Sequence, residues 1–144
     1  MSIAAVLSDK GREVATITQE ASLAQAAAEL TRNKIGALVV VDDGGGVTGV
    51  LSERDIVACL AAHGDQQLGE RRVAQAMTAP AITVQPSTPV LTALALMTAR
   101  RIRHLPVEQD GRLAGIVSIG DLVKYRIDHI EREAEAMRSY IQSA

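Results

Sequence analysis

The chain has 144 residues, 47% of them hydrophobic, and a formal net charge of −2 with acids and bases interspersed. This length suits one compact domain or two very small repeats sharing a core. With no basic stripe, no Phe or Trp and only Tyr125 and Tyr140 as aromatics, the composition argues against nucleic acid as a partner and leaves the core to Ala, Val, Leu, Ile and Met.

Ser2 to Ser8 reads as a short amphipathic helix, broken by Asp9-Lys-Gly11, and Glu13 to Ile17 alternates as a short strand. Ser22-Leu-Ala-Gln25 has capping-box form, and Leu23, Ala26, Ala27 and Leu30 then define one apolar helix face that ends near Asn33. Ala37 to Val41 is a buried strand, Asp42 to Gly46 a turn, and Val47 to Leu51 the returning antiparallel strand. A helix from Glu53 to about Ala62 stops at His63-Gly-Asp65. The lone Cys59 on it precludes an intramolecular disulfide, suits a reducing cytoplasm and reads as a small buried residue rather than a nucleophile. Gln66 to Thr78 connects the halves, with one helical turn at Val73 to Met77.

The pattern then recurs. Thr83-Val84 matches Thr16-Ile17, Thr88-Pro89 reads as a cap followed by Pro at the first helical position, and Val90, Ala93, Leu94 and Met97 repeat the earlier face. His104 to Glu108 is a strand, Gln109 to Gly111 a turn one residue shorter than its twin, and Arg112 to Val117 the return. The offset is 67 residues before the hairpin (Ile17 to Val84) and 66 after it (Asp55 to Asp121), as a single deletion in a turn produces. The expected architecture is α+β: tandem β-α-β-β-α units related by a pseudo-two-fold axis, with two equivalent clefts. Residues 1–72 form the first unit with its lead-in and 73–144 the second with an extended C-terminal helix. In that last helix Val123, Ile127, Ile130, Ala134, Met137 and Ile141 step by four and three, as a coiled-coil seam does. It packs either on another subunit or the other repeat, or as an intramolecular cap on a core edge. The apolar runs Ile3 to Leu7 and Ile35 to Val41 are too short for a signal peptide or a membrane span, so a soluble cytoplasmic protein without membrane contact is expected.

Two stretches carry the chemistry: Val47-Thr-Gly-Val-Leu-Ser52-Glu-Arg-Asp55 and Leu113-Ala-Gly-Ile-Val-Ser118-Ile-Gly-Asp121. Each is a strand ending at a Ser, then a helix with Asp in its first turn. There the free backbone N–H groups keep a carboxylate ionised, able to accept from a ribose diol, while the Ser hydroxyl and N–H groups can hold a phosphate oxygen. The bland reading is that Ser52 and Ser118 only cap helices, worth about 1 kcal/mol each. Gly44-Gly-Gly46-Val-Thr-Gly49 matches G-x-G-x-x-G, but a strand follows instead of the helix that motif requires, so it reads as a hairpin turn. There is no G-x-S-x-G, no H-E-x-x-H and no paired Cys, and His129 with Glu133 reads as a solvated i, i+4 pair rather than a metal site. A non-enzyme with no metal requirement is expected.

Gly49-Val-Leu-Ser-Glu-Arg-Asp55-Ile-Val, Ala76-Met-Thr78, Arg103-His-Leu-Pro-Val107 and Gly115-Ile-Val-Ser-Ile-Gly-Asp121-Leu-Val, in register and duplicated over roughly Ile3 to Lys124, resemble a tandem pair of CBS domains, also called a Bateman module. The resemblance implies a regulatory module that binds AMP, ADP, ATP, NAD or S-adenosylmethionine between the repeats and forms a disc-like homodimer. It further implies Asp55 and Asp121 as ribose ligands with Ser52 and Ser118 beside them. The base is then expected against Ile17, Ala37 and Leu38 in one cleft and Val84 and Leu105 in the other, with Thr16 and Thr83 at the rims. Arg103 and His104 stand where the first unit has Gly36 and Ala37, with only Lys34 and Arg54 near the first cleft. The Asp121 cleft is therefore expected to be the stronger site for a charged nucleotide. The leading expectation is a sensor signalling to a partner protein or across a dimer; the alternative is a nucleotide-free interaction module of the same fold.

Overall fold

Five consecutive apolar residues, Ala37-Leu-Val-Val-Val41, three of them β-branched, make a run too short for a helix, so they enter a sheet buried on both faces. In the computed structural model, which describes residues 1–143, they form β2 (Ala37–Val41), flanked by β1 (Thr16–Ile17) in parallel and β3 (Val47–Ser52) antiparallel. Ahead of them come α1 (Ile3–Lys10) and α2 (Leu23–Asn33), and after them α3 (Glu53–His63), a 3₁₀ turn at Leu68–Glu70 and the single turn α4 (Val73–Ala76). The second unit holds α5 (Val90–Arg100), β4 (His104–Gln109), β5 (Arg112–Ser118) and α6 (Ile119–Ser143). The expected order of elements is present in the first unit and, apart from the opening strand, in the second; the 3₁₀ turn in the connection carries no sequence signal of its own.

The copies differ where single residues force them to. The strand expected at Thr83-Val84 shrinks to one parallel bridge, Val84 to Val107, whereas Thr16 and Ile17 pair with Val39 and Val40. In the first unit Val39 donates its N–H to the Ala15 carbonyl; Pro106 holds the equivalent place and has no N–H to give. Glu13 to Ala15 likewise stay outside the ladder, so β1 is shorter than its alternation suggests. The start of α5 is also corrected. Pro89, not Thr88, is the cap residue, because the Thr88 hydroxyl accepts the Gln85 N–H in the preceding turn, and the Val90 N–H reaches the Met1 carbonyl instead. The Ser22 box on α2 forms as expected. In the hairpins, Asp42 Oδ1 accepts the N–H groups of Gly44 and Gly46, while Asp110 and Gly111 both take positive φ, as a two-residue turn requires.

Two apolar clusters form the core, and the lead-in segments are exchanged between them. Ile3, Val6 and Leu7 of α1 pack with Val90, Met97, Leu105, Val117 and Leu122 of the second unit, and Val73 of α4 packs with Leu23, Leu38 and Leu51 of the first. Glycines make room for both. A Cβ on Gly115 of β5 would lie 2.8 Å from Leu7 Cδ2, and one on Gly49 of β3 would lie 2.8 Å from the Thr78 carbonyl oxygen just beyond α4. Cys59 is buried in the first cluster, as expected. In α6 only Leu122 is buried, so the seam expected along that helix is not a cap over a core edge. No helix of the described residues is long and apolar enough to cross a membrane.

Because Leu7 is 1% exposed and sits in the second core, Leu7→Ala is expected to cost about 2–5 kcal/mol in urea unfolding. A loss below about 1 kcal/mol would mean that α1 is only loosely attached.

Candidate functional site

Each helix opening is pinned to the start of a strand in its own unit. The Glu53 N–H donates to the Gly36 carbonyl and the Ile119 N–H to the Arg103 carbonyl. The capping boxes then complete themselves. Ser52 N–H donates to Asp55 Oδ2 at 2.9 Å, and the Asp55 N–H donates to Ser52 Oγ at 3.2 Å. Ser118 N–H donates to Asp121 Oδ2 at 2.8 Å, and the Asp121 N–H donates to Ser118 Oγ at 3.1 Å. Capping is therefore real in both copies and engages one carboxylate oxygen of each Asp.

Both aspartates line cavities between the units. The first, about 610 Å³, contains Ser52, Glu53, Arg54, Asp55 and Thr78 together with Ala81, Ile82, Arg101, Ile102, Arg103 and His104. The second, about 850 Å³, contains Ser118, Asp121 and Ile116 with Lys10, Glu13, Val14, Ala15, Lys34, Ile35 and Ala37. Gly36 and His104 line both. These are ordinary sizes for small-molecule sites.

Each Asp thus faces the strand entrance of the opposite unit, and this overturns the expected pairing of walls. Arg103 lies in the Asp55 cavity, not with Asp121, and Arg54 joins it there, while Lys34 and Ala37 lie with Asp121. The cause is the pseudo-two-fold packing: the beginnings of β2 and β4 meet at Gly36, where a Cβ would lie 3.3 Å from His104 Cε1. Several expected wall residues face elsewhere. Leu38 and Leu105 are fully buried core, Val84 is core, Ile17 packs on the first cluster, and Thr16 and Thr83 line neither cavity. The chain lines the cavities a little earlier, at Val14-Ala15 and Ala81-Ile82, before it joins the sheet. The duplication itself flags these pairs, since they stand at the same offset of 67. Arg101 stands at that same offset from Lys34, and both are left-handed C-cap residues, whereas Lys10 and Thr78 have no counterpart that would mark them.

The two carboxylates differ in their remaining partners. Asp55 Oδ1 accepts from the Thr78 hydroxyl at 3.1 Å, a neutral contact. Asp121 Oδ2 accepts from Lys10 Nζ at 2.7 Å, and the same ammonium donates to the Ile116 carbonyl. Burial pushes the Asp121 pKa up, but the Lys10 and Ser118 hydrogen bonds and the lysine charge together hold it below the usual carboxylate value. Burial keeps the His104 imidazole below its ordinary pKa; Asp121 and Glu53 oppose this, and Lys10 and Arg103 add to it. His104 is therefore neutral at pH 7 and offers one ring N–H rather than a charge.

A depressed folded-state carboxylate pKa contributes stability that is complete above the unfolded value, about 3.9, and is lost as pH falls through the lower folded value. Lys10→Met removes the largest favourable cause. Its unfolding free energy is expected to depend less on pH than that of the parent below about pH 4; identical pH profiles would show the pair to be inert.

No group of three or more His, Cys, Asp or Glu residues suited to a metal occurs among the described residues. The sequence profile of the CBS domain matches residues 7–62 and again residues 73–128. The chain is 36% identical over 129 residues to the CBS domain-containing protein CBSX3, mitochondrial, of Arabidopsis thaliana; the match covers 87% of this chain and 62% of that protein. Among solved structures it is similar to the CBS-domain containing protein ATU1752 from Agrobacterium tumefaciens, with TM-score 0.83, 41% identity and coverage of 88% of this chain and 99% of that one. It shares its fold with CBSX2, solved in complex with AMP, at TM-score 0.74 and 23% identity, over 88% of this chain and 97% of that one. A duplicated unit, matched twice by one family profile and presenting its two clefts between the copies, leaves one conclusion: the chain belongs to the CBS domain family, with two CBS domains in tandem.

Proposed function

We propose that this protein is a non-catalytic cytoplasmic regulatory sensor that binds an adenine nucleotide, AMP, ADP, ATP or NAD, in a cleft between its two CBS domains. It passes the bound state to a partner protein or across a homodimer through α6. One observation carries the reading: the first-turn carboxylate of one unit faces the strand entrance of the other across an open cavity, so a ligand there touches both units at once. Signalling then requires only that the ligand bind one packing of the units better than another. The AMP complex of CBSX2, which has the same fold, supports the ligand class.

The Asp55 cavity is the better nucleotide site, the reverse of the order expected from sequence. Asp55 Oδ1 exchanges a neutral hydroxyl for a ribose diol at little cost. Arg54, Arg101 and Arg103 supply guanidinium groups for phosphate, and Val50, Ala81, Ile82 and Ile102 offer apolar surface for the base. In the Asp121 cavity the Lys10 ammonium already neutralises the carboxylate by pairing with Oδ2, the oxygen that the cap also uses. That contact favours the second reading for this cleft alone, a structural role with no nucleotide.

Calorimetric titration with AMP, ADP, ATP and NAD tests the proposal. The parent is expected to bind at least one of them. Asp55→Ala should weaken that binding at least tenfold, since charge-assisted hydrogen bonds are worth about 1.5–3 kcal/mol, and Asp121→Ala should leave the tighter site within about threefold. No binding of any of the four at millimolar concentration would sink the sensor reading in favour of an interaction module. Equal losses from the two variants would sink the ranking of the clefts.

A further inference from the structure

Helix α6 runs for 25 residues, Ile119–Ser143, yet the family match ends at residue 128 and only Leu122 of the helix is buried. Along its outer face Val123, Ile127, Ile130, Met137 and Ile141 are between 42% and 68% exposed, with the half-buried Ala134 completing the row. These residues recur at intervals of four and three, the repeat that keeps one seam facing a partner helix over its whole length. From Val123 to Ile141 the seam is about 27 Å long at 1.5 Å per residue.

The flanking charges identify the partner. With Ile127, Ala134 and Ile141 as the a positions and Val123, Ile130 and Met137 as d, Arg126 and Glu133 fall at g, and Glu131 and Arg138 at e. In a parallel, in-register pair each g residue meets the e residue five positions on in the other helix. Arg126 then faces Glu131, and Glu133 faces Arg138, each twice by symmetry. An antiparallel pair that keeps all six seam positions in contact does the opposite: it sets Lys124 against Arg138, Glu131 against Glu131 and Glu133 against Glu133. Within the chain, Glu133 contacts His129 and Arg138 contacts Glu135, but both pairs lie on the surface and exchange partners at little cost. A surface whose charges complement themselves under a two-fold axis fits a second copy of the same chain.

We propose that the α6 helices of two copies associate side by side, parallel and in register, through the Val123–Ile141 seam as a two-stranded coiled coil. The helix is already formed by its anchorage at Leu122, so association does not bear the cost of helix nucleation. The inference rests on the homodimer part of the reading above and is independent of whether the clefts hold a nucleotide.

The test measures mass by sedimentation and light scattering between 1 and about 200 µM, together with a crosslink. The parent is expected to dimerise in this range, and Ile130→Glu, at an exposed position, to weaken the dimer at least tenfold while the thermal midpoint measured under dilution to monomer is unchanged. Glu133→Arg should weaken it and Glu133→Arg with Arg138→Glu should restore it, since the swap exchanges the two partners. Ala134→Cys, placed a-to-a, should form an intermolecular disulfide on mild oxidation, with the parent and its buried Cys59 as the blank. A monomer at 200 µM overturns both the homodimer reading and this one. A dimer that ignores Glu133→Arg and gives no Ala134→Cys crosslink overturns this one alone and leaves dimerisation through another face.

Discussion

The molecule depends on the exchange of its two lead-in segments. Ile3, Val6 and Leu7 precede the first unit but complete the core of the second, and Val73 precedes the second unit but completes the core of the first. A β-α-β-β-α unit of this size buries too little apolar surface to stand alone. Each therefore borrows a helix from the other, which holds the pair face to face. The duplicated Gly49 and Gly115 are the mark of this arrangement. They occupy strand interiors, where glycine is unfavourable, because a side chain there would strike the incoming segment.

Face-to-face packing is also what makes the clefts composite. A helix opening tied to its own strand by Glu53 to Gly36, or Ile119 to Arg103, cannot turn toward its own sheet, so its carboxylate looks across the axis at the other unit. The same serine and aspartate serve both stability and recognition. One carboxylate oxygen is fixed by the cap, which holds the side chain at the edge of the cavity before any ligand arrives. Local differences then separate the sites. A neutral threonine hydroxyl meets Asp55, and a lysine forms an ion pair with Asp121.

Much of this was readable from the amino-acid sequence because duplication doubles every signal. The strand at 37–41, the Ser22 box, the return strands and both Ser-x-x-Asp openings stand in the structure where periodicity and turn chemistry place them. What failed was of two kinds. Some errors were local competitions: Pro106 withholding an N–H from the strand at Val84, and Thr88 spending its hydroxyl on a turn rather than a cap. The larger error was tertiary. Arg103 lines the Asp55 cavity because each cleft is built by both units, and no pattern along one chain tells which unit an arginine will face. Lys10 was invisible for the same reason, since its partner lies 111 positions away.

The borrowed first helix also separates neighbourhood in sequence from neighbourhood in space. Ser2 bridges Pro89, and the Ile3 N–H donates to the Thr88 carbonyl, so the opening residues share their surroundings with the start of α5. A fluorophore placed at Ser2 would register events in the downstream half and be nearly blind to the repeat that follows it. Clipping all of α1 would uncover a core whose remaining members all lie beyond position 80.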